Sequence, residues 1–238
     1  MMRLDRYLAE AGFGTRKEVK KLIRDGGVLV NGQTVTKAEY KVDETADTVT
    51  ADGFEVSWSR YAYIMLNKPQ GVISATEGAE KTVMDLIYEP YRDMFPCGRL
   101  DKDTEGLLLI TNDGDLAHRL LSPKNRIEKE YEVRLRDPVT EEDKSVLAAG
   151  ITAGDEVFRP AVITEADGTY CHITITEGKF HEIKRMFAYL GNEVVYLKRL
   201  RMKGLRLDES LQPGEYRMLT EEEISDLREA GSSRNQAG

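Results

Sequence analysis

Gly98-Arg99-Leu100-Asp101-Lys102-Asp103-Thr104-Glu105-Gly106-Leu107-Leu108-Leu109-Ile110-Thr111-Asn112-Asp113-Gly114 runs from an acid-rich loop into an apolar strand and then into a capped helix. The apolar run predicts a strand over 107–111, and the helix is expected over 113–121. This layout holds one carboxylate, Asp101, at the mouth of a rigid element. An Asp beside Gly and Arg commonly serves as a turn or cap residue, because its side chain accepts from nearby backbone N–H groups. The segment alone therefore admits a structural reading, and the rest of the chain decides whether chemistry is added to it.

With 238 residues, 40% of them hydrophobic, the chain has material for one medium domain and a small one. No run approaches the roughly 18 apolar residues of a membrane span, and Met1-Met2-Arg3-Leu4-Asp5-Arg6 lacks the apolar stretch of a signal peptide. A soluble, cytoplasmic protein without a membrane partner is expected. Cys97, Cys171 and three scattered histidines do not form a metal-ligand spacing, so neither a disulfide nor a metal is expected. The formal net charge of -8 argues against a broad electrostatic grip on nucleic acid. Its distribution is uneven, however: base concentrates in 16–24 and in 179–206, acid in 137–155 and in Glu221-Glu222-Glu223. Screening over a Debye length of about 8 Å lets each basic surface bind phosphate locally.

Toward the N-terminus, Thr15-Arg16-Lys17-Glu18 is a capping-box pattern that opens a helix. The helix places Val19, Leu22 and Ile23 on one face and Arg16, Lys17, Lys20, Lys21 and Arg24 largely on the other, and Gly26-Gly27 stops it. Val28-Leu29-Val30-Asn31-Gly32-Gln33-Thr34-Val35 then reads as a hairpin about an Asn-Gly turn. Together with Arg3-Leu4-Asp5-Arg6-Tyr7-Leu8, this pattern resembles the S4 RNA-binding domain over about a fifth of the chain. The resemblance implies a small αα-plus-hairpin domain in which Arg3, Arg16, Lys17, Lys20, Lys21 and Arg24 contact RNA phosphates, positioning the RNA without reading its bases. The expected organisation is an S4-like domain over 1–52, a linker over 53–60, a second domain over 61–228 and a disordered tail over 229–238.

In the second domain, strands are expected at 61–66, 107–111, 129–135, 161–164, 170–176 and 193–197, with helices near 113–121, 141–149 and 181–190. The first strand is expected to end at Asn67-Lys68-Pro69, since proline cannot donate to a central ladder. Strands and helices interleave without a regular βαβ period, so α+β is preferred to a doubly wound sheet. Phosphate-loop, dinucleotide and serine-elbow motifs are absent, which removes the usual support for nucleotide hydrolysis, dinucleotide redox chemistry and serine-hydrolase chemistry.

Three segments combine acid, aromatic and base: the Asp101 loop, Ile127-Glu128-Lys129-Glu130-Tyr131-Glu132-Val133-Arg134-Leu135, and Thr176-Glu177-Gly178-Lys179-Phe180-His181-Glu182-Ile183-Lys184-Arg185-Met186-Phe187. Alternation in the second puts Lys129, Tyr131 and Val133 on one strand face. In this order, and with Leu66-Asn67-Lys68-Pro69-Gln70-Gly71 ahead of them, the segments are similar to the motifs of the pseudouridine synthases, most closely those of the RsuA family.

That resemblance implies a largely antiparallel mixed sheet flanked by helices, and isomerisation of uridine to pseudouridine in ribosomal RNA without a cofactor. By it, Asp101 is the catalytic carboxylate, Tyr131 packs on or deprotonates the base, and Lys184 pairs with Asp101. The family often carries Arg at the Lys184 position, which makes Arg185 a rival partner. Ile183 is the apolar contact beneath the ring, and Leu100, Arg99 and Arg185 are further expected substrate contacts; the adjacency of Arg99 to Asp101 suggests that it fills the space a flipped base vacates. The C-terminal run from Leu207 to Glu223 is most similar to the small-subunit (16S) enzymes. The implied partner is ribosomal RNA or the assembling small subunit, met by a monomer.

The residue types suit this chemistry independently. The reaction breaks the C1′–N1 bond and forms C1′–C5 without redox change, and an ionised carboxylate can divide it into easier steps, with attack by Asp101 on C1′, attack on the pyrimidine ring and action mainly as a base all open to the sequence. The competing readings are a 23S enzyme of the same family, a noncatalytic S4 protein, which leaves Asp101, Tyr131 and Lys184 without purpose, and a glycosidase. The last requires two carboxylates about 5–9.5 Å apart across an aromatic-rich cleft, whereas 8% of this chain is aromatic, with one Trp.

Overall fold

Thr15 Oγ1 accepts from the Glu18 N–H (3.4 Å) and Glu18 Oε2 accepts from the Thr15 N–H (2.8 Å), so the capping box closes as its spacing dictates. It opens α2 (Arg16–Arg24), which packs on α1 (Leu4–Glu10) through buried Val19 and Ile23 and leaves its five cations exposed. These elements belong to a computed structural model that describes residues 1–56, 61–89, 91 and 93–229.

The chain divides into two units, Met1–Ala62 with Tyr88–Asp93, and Tyr63–Ile87 with Met94–Gly238. In the first, β1 (Met2–Arg3) pairs β4 (Lys41–Val42), while β2 (Val28–Val30), β3 (Gln33–Thr34), β5 (Val49–Ala51) and β6 (Phe54–Glu55) form a sheet in the order β3-β2-β5-β6. Asn31 and Gly32, at φ 51° and 77°, supply the left-handed pair that the two-residue turn between β2 and β3 requires. Leu4, Leu8, Val19, Ile23, Val28 and Val49 lie in its core. Within the expected linker, β6 pairs with β5, and Val56 is buried in the same core. Residues 57–60 and 230–238 lie outside the described residues, so the remainder of the linker and nearly all of the expected tail do too.

The second unit contains β7 (Tyr63–Lys68), β8 (Phe95–Cys97), β9 (Glu105–Thr111), α3 (Gly114–Leu121), β10 (Lys129–Leu135), α4 (Glu141–Ala149), β11 (Ile151–Ala153), β12 (Glu156–Phe158), β13 (Val162–Asp167), β14 (Tyr170–Ile175), α5 (Glu182–Tyr189), β15 (Val194–Met202), β16 (Leu205–Arg206), β17 (Tyr216–Met218) and α6 (Glu221–Arg228). Its nine-stranded sheet runs β13-β14-β10-β15-β9-β7-β17, with β16 on β15 and β8 on β9. Among the described strands of this sheet only β15 and β9 pair in parallel, so the sheet is mixed and largely antiparallel, and the fold is α+β. Among the described residues, no helix is long and apolar enough to cross a membrane.

Several boundaries differ from expectation, and each difference bears on the site. The first strand continues through Asn67 to Lys68, with all six residues buried, because its partner β9 begins at Glu105 rather than 107 and covers it to Gly106. The last long strand extends to Met202. Where β9 and β15 meet, Gly106 sits at φ 101°, and a Cβ there would lie 2.3 Å from the Arg199 carbonyl oxygen. Glycine is required at this contact both by conformation and by space.

Candidate active site

The loop between β8 and β9 has no regular structure of its own, so its shape is imposed by polar anchors. Ser74 Oγ accepts from the Leu100 N–H (3.0 Å) and donates to the Leu100 carbonyl (2.9 Å). Gly71 N–H donates to the Lys102 carbonyl (2.8 Å), and Thr104 N–H closes a turn on the Asp101 carbonyl (3.1 Å). Beneath them Lys68, at the end of β7 and fully buried, directs Nζ at the carbonyls of Thr104 (2.8 Å), Asp101 (3.0 Å) and Pro69 (3.0 Å), with Lys102 at 3.5 Å. Burial pulls the Lys68 ammonium down to about 8. The sequence places Lys68 in a turn; the structure makes it the hub of the loop that carries Asp101.

Asp101 faces α5. Its Oδ2 accepts from Lys184 Nζ (3.0 Å), and the same ammonium donates to Asp103 Oδ1 (2.6 Å). Burial lowers the lysine, but the hydrogen bonds to Asp103 and Asp101 outweigh it and hold Lys184 above its ordinary value. Arg185 does not serve as the partner: one residue further round the helix, it pairs with Glu156 and stacks over Phe158, 4.8 Å from the ring centroid. His181 precedes α5 in a left-handed conformation (φ 50°), with Nε2 3.6 Å from Asp101 Oδ1 and its ring stacked on exposed Phe180. Replacing Lys184 by Met should therefore lower the single-turnover rate about 10–100-fold, with Lys184→Arg retaining most of it. Equal rates in wild type and Lys184→Met would show that Asp101 needs no cation.

Tyr131 lies on β10, inward with Lys129, Val133 and Leu135. Burial pushes its hydroxyl up, partly countered by the Arg199 guanidinium beside it. A cavity of about 60 Å³ is lined by Asp101, Tyr131, Leu100, Ile183, Lys184 and Arg99 among others, and Arg99 and Tyr131 also line an adjoining cavity of about 630 Å³. Six of the seven expected catalytic and substrate-binding residues thus share one site, and Arg185 stands apart from it. In the first unit Arg16, Lys17, Lys20, Lys21 and Arg24 are exposed, and Arg3 is engaged by Asp5 through Nε (3.0 Å) and Nη2 (2.9 Å).

Sequence reasoning missed four residues at the site: Lys68, Lys129 as a site cation, Glu182 and Arg199. Lys129 is buried, and its ammonium is pulled down to about 8 by burial and then by Arg199. Arg199, placed by the sequence in a basic surface run, is instead 2% exposed. Glu182 lines the Asp101 cavity, with Oε2 accepting from the Lys179 N–H (2.7 Å) and Oε1 unpartnered. Burial raises it from 4.5 to about 7. A carboxyl raised on folding contributes stability that is complete below pH 4.5 and lost as pH rises through 7. Glu182→Gln should accordingly gain on wild type by about 3 kcal/mol between pH 4 and pH 8. A wild-type-minus-variant difference in urea unfolding that is flat with pH would refute this.

A family model described as RNA pseudouridylate synthase matches residues 62–189, and an S4 domain model matches residues 2–49. The chain is 48% identical over 240 residues to "Uncharacterized RNA pseudouridine synthase YtzG" of Bacillus subtilis, covering 96% of this chain and 99% of that protein. It is 40% identical over 231 residues to "Ribosomal small subunit pseudouridine synthase A" of Escherichia coli K12, covering 95% and 100% respectively. A solved structure described as a pseudouridylate synthase superimposes with a TM-score of 0.68 at 39% identity, over 95% of this chain and all of that one.

Proposed function

The chain belongs to the RNA pseudouridylate synthase family and carries an S4 domain, and on that premise we propose that it converts one uridine of 16S ribosomal RNA to pseudouridine. The observation that carries the residue assignment is the Asp101 carboxylate held 3.0 Å from Lys184 in a cavity that Tyr131 also lines. The small-subunit target is supported by the name of the Escherichia coli relative, which aligns over nearly its whole length.

The target base leaves its stack, at a cost of a few kcal/mol unless it is already unpaired. Arg99, exposed and lining both cavities, takes the space behind it. The base lies on the Tyr131 ring with Ile183 and Leu100 as apolar contacts, and Asp101 adds either at C1′ or at the pyrimidine ring. Lys184 holds the carboxylate in position through its hydrogen bond to Oδ2. The C1′–N1 bond breaks, C1′ bonds to C5, the bond to Asp101 breaks to return the carboxylate, the C5 proton leaves and N1 takes one up, so the isomerisation balances without oxidant, reductant or cofactor. The exposed cations of α2 hold RNA phosphates, and the protein acts as a cytoplasmic monomer.

The test is to incubate the protein with unmodified 16S and 23S transcripts and with partly assembled small subunits. Pseudouridine is then mapped by chemical labelling and primer extension. One modified uridine in 16S RNA is expected; modification confined to 23S RNA would overturn the target, and none in any substrate would overturn the reading.

A further inference from the structure

The larger cavity holds two buried cations without counter-ions. Lys129 is 7% exposed and Arg199 2%. Lys129 Nζ donates to the carbonyls of Ile127 (3.2 Å) and Glu177 (3.1 Å), which leaves its third N–H without a partner among the described residues. Arg199 donates from Nε to the Leu107 carbonyl (2.7 Å) and its guanidinium lies beside the Tyr131 hydroxyl, while Nη2 is buried and has no hydrogen-bond partner among the described residues. Among the described residues neither forms an ion pair, although Glu182 and Glu177 act on Lys129 from a distance. Both cations line the cavity that meets the Asp101 cavity along Tyr131. Burying two like charges together is unfavourable unless negative charge is delivered to them.

The reaction delivers such charge. If Asp101 attacks C1′, the C1′–N1 bond breaks with its electron pair on the base; if it adds at C6, the pair moves into the ring. The anion left by C1′–N1 cleavage shares its charge between O2 and O4, and the C6 adduct is an enolate that shares it between C5 and O4, so O4 becomes negative on both routes. The charge is used when C5 bonds to C1′, after which the C5 proton is lost and N1 is protonated.

We propose that Arg199 and Lys129 form the oxyanion site for the target base, with Arg199 Nη2 and the free Lys129 N–H donating to a uracil carbonyl oxygen as it becomes negative. The assignment rests on the pseudouridine synthase reading and gives the buried cations a catalytic purpose. Where that oxygen is O4 the donors also select uracil: cytosine presents an amino group at C4, which meets donor with donor.

The experiment is a set of single-turnover rates on a 16S fragment carrying uridine, 2-thiouridine or 4-thiouridine at the mapped position. Sulfur is the poorer acceptor, so wild type should slow about 10–100-fold with the analogue whose oxygen the cations contact. Arg199→Gln and Lys129→Met should slow about 10²–10³-fold on uridine, bind the RNA within about threefold of wild type, and lose the sulfur effect at that atom; Arg199→Lys should recover part of both. A wild-type enzyme indifferent to both analogues, or a sulfur effect of the same size in wild type and variants, would overturn the proposal. The wild-type arm stands even if an Arg199 variant does not fold. Absence of any turnover on uridine itself marks failure of the underlying reading rather than of the cation assignment.

Discussion

Asp101→Asn is expected to abolish modification, lowering the single-turnover rate by more than about 10³-fold while leaving RNA affinity within a few-fold of wild type. The substitution keeps the shape of the side chain and removes its charge and nucleophilicity. Lys184 retains Asp103 at 2.6 Å, so the helix face remains paired. The loop keeps its anchors too, since Lys68, Ser74 and Gly71 bind backbone groups or the backbone of neighbours and not the Asp101 carboxylate. The melting temperature should therefore move by no more than a few degrees, corresponding to about 1 kcal/mol for a partly exposed ion pair. Asp103→Asn is the internal control: its side chain is 69% exposed, and it shares the same lysine without lining the cavity. It should cost less than about tenfold in rate. If Asp103→Asn were the dead variant and Asp101→Asn the active one, the two carboxylates would exchange roles.

The contrast between these two carboxylates shows what the sequence made legible. The Asp101 loop, the Tyr131 strand and the cation-bearing turn are local patterns, and so are the Thr15 capping box and the Asn31-Gly32 hairpin; each rests on residues within a few positions of one another. The choice between Lys184 and Arg185 does not. Adjacent helical residues point about 100° apart, so the answer depends on where α5 begins, which His181 sets by turning left-handed. Arg199 stands in a run with Lys198 and Arg201 that reads as solvated, and it is buried because the parallel pairing of β15 with β9 seats its backbone on Gly106. That pairing joins residues more than 90 positions apart, with no local signature. Helix α6 carries a local signature as well: Thr220 and Glu223 form a capping box, with Thr220 Oγ1 accepting from the Glu223 N–H (3.2 Å) and Glu223 Oε2 accepting from the Thr220 N–H (2.8 Å).

Lys68→Met should leave a folded protein that turns over about 10²–10³-fold more slowly. Two terms of opposite sign decide the stability. The shift of the ammonium from 10.5 to about 8 means that burial disfavours its charge by about 3 kcal/mol, which methionine recovers. Against this, the carbonyls of Pro69, Asp101 and Thr104 lose their Nζ donor, at about 1–3 kcal/mol for each one left buried and unpaired. The net loss is a few kcal/mol, within reach of urea unfolding but short of collapse for a domain with a nine-stranded sheet. The larger effect is geometric. Those carbonyls bracket Asp101, and a displacement of about 1 Å at a reacting group costs on the order of 10²-fold. Lys68→Arg should not rescue, because a planar guanidinium cannot converge three N–H groups on carbonyls that surround a single point. Amide exchange over residues 98–104 should quicken in Lys68→Met while exchange in β10 and β15 stays slow. A wild-type rate in Lys68→Met would show that Ser74 and the Thr104 turn suffice to place the carboxylate, and the buried lysine would then be a structural residue with no hold on the chemistry.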